Sequence, residues 1–226
     1  FIYKIISTIN LSEELKKKYP QYNFVPVYWM ASEDHDFEEV NHIHLFGKKI
    51  EWTNKQGGSV GNYSTKGIGD LIEELKPVLG DSENAKRLIS LFENAYLKHS
   101  TLAQSTRYLV HQLFEQYGLL ILDPNDAQLK TEFSSIIEDD LLHATSFKLV
   151  NDTIVQFEKL GYKNQVNPRE INLFYSIENQ RERIIQVKEL FNIQNTSIQF
   201  DKTALLSELK NHPERFSPNV VMRPLY

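Results

Sequence analysis

The sequence predicts an α/β fold in which a parallel sheet is interrupted by a largely helical insertion and followed by a β-hairpin. Three observations predict it. Residues 24–31 form an apolar run rich in β-branched and aromatic side chains, Phe24-Val25-Pro26-Val27-Tyr28-Trp29-Met30-Ala31, as expected of a strand buried on both faces of a parallel sheet. A second such run, Leu119-Leu120-Ile121-Leu122, lies far downstream, and between the two the apolar residues recur at threes and fours. Residues 171–177 and 183–187 flank a polar turn at Glu178-Asn179-Gln180, which is a hairpin pattern.

Composition limits the function classes. With 226 residues and 41% hydrophobic side chains the chain can bury a sizeable core. Its net charge of -5, without a clustered basic face, argues against a nucleic-acid footprint. The absence of cysteine excludes a disulfide framework and a thiolate zinc site, and makes a reducing, cytoplasmic setting the expected one. No apolar run reaches membrane-spanning length, so no membrane partner is expected. The chain begins at Phe1 rather than Met, so a segment of a longer protein is expected.

The elements follow in order. Ile2, Ile5, Ile6 and Ile9 lie at helical spacing, and the helix continues to Lys16-Lys17-Lys18, whose charges complement the dipole of a last turn. After the opening strand, Phe37 starts a helix. Residues 41–46 and 48–52 then form two short strands about Gly47, and residues 54–69, dense in glycine, read as a long mobile loop. A helical section starts at Ile68. Ser82 caps the helix carrying Ala85, Leu88, Ile89, Phe92 and Tyr96, residues 105–117 repeat the pattern, and Gly118 stops it. Residues 131–160 read as one long helix ended by Gly161, with His143 as a core-edge histidine. Asp201 caps a helix through Leu209, with Phe200 and Leu205 as a hydrophobic staple, and the proline-rich close is too punctuated for one regular element. The expected division is 1–53 core portion, 54–117 loop and helical insertion, 118–130 core strand and turn, 131–211 long helix and hairpin, and 212–226 return to the core.

The chemistry gathers at strand ends. In open α/β sheets ligands bind outside the carboxyl ends of the strands, and there the opening strand empties into Glu33-Asp34-His35-Asp36. Asp126, in the turn after the second strand, either faces the same crevice or caps the next helix; Asp34 is likewise either a crevice carboxylate or a helix N-cap. One competing reading joins Glu33, Asp34, His35 and Asp36 with His42 and His44 as oxygen and imidazole ligands of a metal-dependent hydrolase. Another takes the helices of 82–117 and 131–160 as a non-catalytic interaction module.

Several motifs carry a resemblance. Val25-Pro26-Val27-Tyr28-Trp29 with Glu33-Asp34-His35-Asp36, then Asn172-Leu173-Phe174-Tyr175, then His212-Pro213-Glu214-Arg215-Phe216-Ser217 with Asn219-Val220-Val221 and Arg223-Pro224-Leu225 resemble, in order, segments of the BshC family of cysteine-adding enzymes of bacillithiol biosynthesis. The resemblance covers essentially the whole chain. It implies a Rossmann-like, nucleotidyltransferase-type core, and a carbon-nitrogen ligase that joins cysteine to glucosaminyl-malate. It implies ATP as cofactor, with metal use left open, and small-molecule partners only. It also implies a preceding glycine-rich segment, and a later coiled coil through which a homodimer would form. Amide formation needs an activated carboxylate, an unprotonated amine, a base and an anion clamp. His35 is the candidate base, because imidazole titrates near neutrality and Asp34 and Asp36 flank it. Arg223 is the candidate clamp, its guanidinium matching a carboxylate or phosphate in a fork, with Asn219 on the same face if the segment is helical. Glu33, His44 and Asp126 complete the expected substrate-binding set.

Overall fold

The computed structural model describes residues 1–177 and 180–226, and the chain divides into two compact units, Phe1–Pro124 and Asn125–Tyr226.

In the first unit, helix α1 (Ile2–Lys18) buries Ile5 and Ile9 against Val110, Phe114 and Leu119, with Tyr28 and Ile121 packed on the same cluster. Strand β1 (Val27–Trp29) and strand β4 (Leu120–Leu122) pair in parallel, Val27 opposite Leu120, Tyr28 opposite Ile121 and Trp29 opposite Leu122. The expected parallel pairing is therefore present, although each strand is shorter than its apolar run. Burial on both faces is not found within this unit: Val25, Val27 and Leu120 are exposed, whereas Met30 is 2% exposed. Between the two strands lie α2 (Phe37–Val40), the antiparallel hairpin of β2 (His42–Leu45) and β3 (Lys48–Glu51), and helices α3 (Ile68–Leu79), α4 (Glu83–Leu97) and α5 (Leu102–Phe114). The hairpin turns on Phe46 and Gly47, both at positive φ, as a two-residue turn matched to strand twist requires. Ser82 accepts a hydrogen bond from the Ala85 N–H at the start of α4, the expected cap.

The stretch expected to be a mobile loop is built otherwise. Ser59, Val60 and Gly61 are buried, a 3₁₀ turn spans Val60–Asn62, and Trp52, Val60, Tyr63, Ile68 and Ile72 share one core. Glycine density marked backbone freedom, but the intervening Val60 and Tyr63 supplied the apolar anchors that fix it.

In the second unit the expected single helix over 131–160 is two, α6 (Ala127–His143) and α7 (Thr145–Lys159), separated by Ala144 at φ 51. The break is stabilised by Asp140, whose Oδ1 accepts from the backbone N–H of Ser146, at 3.0 Å, and from its hydroxyl. His143 lies exposed at the end of α6, not at a core edge. A five-stranded antiparallel sheet follows in the order β8, β7, β6, β5, β9, formed by β5 (Leu173–Ile177), β6 (Gln180–Val187), β7 (Leu190–Ile193), β8 (Gln199–Phe200) and β9 (Phe216–Pro218). The expected hairpin is its β5–β6 pair; Glu178 and Asn179 of its turn fall outside the described residues. Helix α8 (Lys202–Asn211) precedes β9, its N-cap Asp201 accepting from Ala204 as expected, and packs Leu205 and Leu209 on Phe133, Ile137, Tyr175 and Phe216. The closing segment does contribute a regular element: β9 pairs with β5, Leu173 opposite Pro218 and Tyr175 opposite Phe216. Pro218 is tolerated because β9 lies on the sheet edge.

Candidate active site

Parallel pairing sets the carboxyl ends of β1 and β4 side by side, and the chain beyond each carries the chemistry. Met30 extends the pairing, its N–H donating to the Leu122 carbonyl at 3.0 Å. Two residues on, the Ser32 hydroxyl donates to Asp123 Oδ1 at 2.5 Å, tying one strand end to the other. Ser32 and Glu33 are buried, Asp34 is half-buried, and His35 and Asp36 stand in solvent. His35 Nε2 lies 3.8 Å from Asp36 Oδ1, close enough for charge attraction, with side chains 56% and 62% exposed. Asp36, not Asp34, occupies the N-cap position of α2, and its carboxylate makes no capping bond, so it remains available to the imidazole.

The glycine-rich loop fastens this cluster from behind. Val60 N–H donates to the Asp34 carbonyl at 2.7 Å and Gly61 N–H to the Ser32 carbonyl at 3.0 Å. A Cβ on Gly61 would sit 2.5 Å from the Ser32 Cβ, so only glycine admits this approach. These amides are consumed in holding residues 32–34 and are not presented as an anion cradle.

Of the remaining residues of the expected set, His44 belongs to the first unit and Asp126, Asn219 and Arg223 to the second. His44 is exposed on β2, its ring edge-on to His42 at 5.3 Å; among the described residues no hydrogen bond, ion pair or ring contact joins it to His35. Asp126, in the second unit, caps α6: its Oδ1 accepts from Gln128 and Leu129 N–H at 2.8 and 3.2 Å. Asn219 and Arg223 also belong to the second unit. The Asn219 Nδ2 donates to Asn172 Oδ1 at 2.9 Å and its Oδ1 accepts from Val221 N–H at 2.8 Å, so its amide is taken up by the fold. Arg223 N–H donates to the Asn219 carbonyl at 2.9 Å, which gives the helical turn expected between them; the Arg223 side chain is half-buried. Among the described residues no three His, Asp or Glu side chains gather so as to hold a metal ion.

Sequence reasoning passed over Ser32, Asp123 and Gly61. A signal was available for the first two, since each directly follows a buried-strand pattern at the end where ligands collect.

A parallel strand pair carrying acid and imidazole at its carboxyl ends defines a Rossmann-like α/β domain with a candidate site on its ligand-binding edge. Residues 1–226 match the family described as bacillithiol biosynthesis BshC, N-terminal Rossmann-like domain, and the chain belongs to that family. It is 54% identical over 226 residues to a protein of Flavobacterium johnsoniae, 50% identical over 226 residues to one of Flavobacterium psychrophilum, and 47% identical over 230 residues to one of Christiangramia forsetii. Each of these relatives is named "Putative cysteine ligase BshC", and each is matched over 100% of this chain. The chain spans about 42% of the length of the first two and 43% of the third.

Proposed function

We propose that this chain supplies the amine-activating part of a carbon-nitrogen ligase that adds cysteine to glucosaminyl-malate with ATP-dependent carboxylate activation. The observation that carries the reading is the joined end of β1 and β4, where Ser32 binds Asp123 and the neighbouring His35 is held at the surface.

His35 is exposed, so an incoming ammonium can reach it, lose its proton to the ring nitrogen and become the nucleophile. Asp36 then stabilises the imidazolium that forms. Glu33 and Asp34 directly precede the base in sequence and Asp123 is bound to Ser32, so the joined strand ends are acidic, which favours a substrate ammonium. As nitrogen attacks, the new C–N bond forms and the leaving group on the activated carboxyl departs.

The acidic strand ends do not suit phosphate, but α1 does. The Ser12 hydroxyl donates to the Phe24 carbonyl ahead of β1, at 2.9 Å, while the Phe1 ring stacks on Tyr28 at 5.8 Å, so α1 runs antiparallel to β1 with its amino end toward the site. Its first turn carries no acidic residue and no side-chain cap, leaving the backbone N–H groups of Ile2, Tyr3 and Lys4 as the groups that would hold a phosphate. ATP would supply the phosphoryl or adenylyl group that makes the cysteine carboxyl reactive.

The test uses the full-length protein incubated with ATP, cysteine and glucosaminyl-malate, with AMP, ADP and product followed by mass spectrometry. Product should form with matched nucleotide cleavage, and His35→Ala should lower the rate by 10²-fold or more while shifting stability by less than about 0.5 kcal/mol. Wild-type turnover in that variant would remove His35 as the base.

A further inference from the structure

We infer that the second unit carries a binding pocket for a small dicarboxylate, built from residues other than those of the strand-end site. A cavity of about 400 Å³ opens between the segment entering β5, at Arg169, Glu170 and Ile171, and the far half of β6, at Arg183 and Gln186, with Gln194 at its edge. That size suits a small metabolite.

The opening is a consequence of strand register. Strand β6 pairs with β5 only as far as Arg183 opposite Phe174; beyond that it pairs with β7 alone, from Ile184 opposite Ile193 to Val187 opposite Leu190. In an antiparallel ladder backbone groups alternate between the two sides. Val187 and Leu190 flank a two-residue turn and exchange hydrogen bonds, so Gln186 turns its N–H and C=O away from β7. They face the side where β5 has left the sheet, which is the cavity.

The charges select the ligand. Arg169 and Arg183 are carried by two different stretches of chain, and among the described residues neither guanidinium is in an ion pair; Arg183 stands over the Phe174 ring at 5.1 Å. Glu170 lines the same cavity, leaving one positive charge in excess. Guanidinium forks match planar carboxylates, and two of them on separate elements match a molecule with a carboxylate at each end. The Gln186 amide N–H adds a neutral donor, while the Gln186 side chain is held by the Lys188 carbonyl at 3.2 Å.

The experiment is calorimetric titration of this chain with succinate, joined to amide chemical-shift mapping, with inorganic phosphate and succinamide as comparison probes. One succinate should bind per chain, the Gln186 amide should shift, and succinamide should not bind. Arg169→Gln and Arg183→Gln should each raise the Kd about tenfold or more. Both side chains are exposed, so the variants should melt as wild type does. Glu170→Gln should tighten succinate, an outcome that a merely structural role for the pocket would not give. Absence of binding at millimolar succinate, binding indifferent to both arginine substitutions, or phosphate binding as tightly as succinate would each overturn the inference. Ligase turnover is read separately, so failure here leaves the strand-end reading intact.

Discussion

At the scale of single residues, the contacts that matter join side chains far apart in sequence. Ser32 and Asp123 are coupled because the parallel pairing of β1 and β4 brings their carboxyl ends together, and the hydroxyl donates to a carboxylate oxygen. Ser32→Ala should cost about 1–3 kcal/mol, measured as a lowered urea midpoint at unchanged slope. Gly61 and Gly69 give a contrast that propensity alone would miss. An added methyl on Gly61 meets Ser32 backbone and Cβ at 2.5–2.8 Å, whereas on Gly69, in the first turn of α3, it meets only Leu97 at 3.5 Å. Gly61→Ala should therefore destabilise by about 1–3 kcal/mol and disturb the site, while Gly69→Ala should stabilise by up to about 1 kcal/mol. Equal melting temperatures for the two variants would refute this account of the loop.

At the scale of elements, the motifs at residues 172–175 and 212–219 prove to be two sides of one structure. Asn172 is fully buried and its amide Nδ2 donates to the Ser146 hydroxyl and the Arg169 carbonyl, while its Oδ1 accepts from Arg169 N–H and Asn219 Nδ2. Its N–H donates to Asp140 Oδ2 at 3.1 Å, so this residue connects the α6–α7 break, the entry to β5 and the exit from β9. Sequence periodicity over 131–160 could not show the break, since alanine is the strongest helix former and gives no warning at position 144. There Ala144 pays left-handed strain for a turn set by tertiary hydrogen bonds. Ala144→Gly should accordingly raise stability, by about 0.5–1 kcal/mol, in chemical denaturation.

For the molecule as a whole, a hydrogen-bonded cluster of Tyr175, Glu208 and Arg215 makes the stability of the second unit depend on pH at both ends. Burial and a 2.8 Å hydrogen bond to Glu208 push the Tyr175 phenol up to about 12, and Arg215 donates to the same carboxylate oxygen at 2.5 Å. Burial alone would raise Glu208, but the hydrogen bonds from Tyr175 and Arg215 outweigh it and hold the carboxyl below its ordinary value. A carboxyl lowered in the folded state contributes stability above its unfolded pKa, and that contribution is lost as pH falls through the folded value. A phenol raised in the folded state contributes below about 10, and its contribution is lost as pH rises toward about 12. Urea midpoints should therefore fall at both ends, and Tyr175→Phe should flatten the alkaline limb relative to wild type. An alkaline limb unchanged in that variant would assign the loss to other groups. No helix among the described residues is long and apolar enough to cross a membrane.

What the sequence determined by itself was local and periodic. Apolar runs marked β1 and β4, 3.6-residue spacing marked α1 and α3 to α5, and Ser82 and Asp201 marked helix starts, because side-chain periodicity and capping are properties of a few neighbouring residues. The placement of Glu33, Asp34, His35 and Asp36 beyond the end of β1 was equally legible, since they directly follow the apolar run in sequence. Tertiary structure alone decided the rest: that Ser32 meets Asp123, that a glycine-rich loop is seated on Ser32 and Asp34, that one helical pattern breaks at Ala144, and that β9 completes the sheet beside β5. These depend on groups brought together across long sequence separations, as at the break, where Asn172 holds the Asp140 that receives Ser146, and there hydrogen bonds between buried partners outweigh local preference.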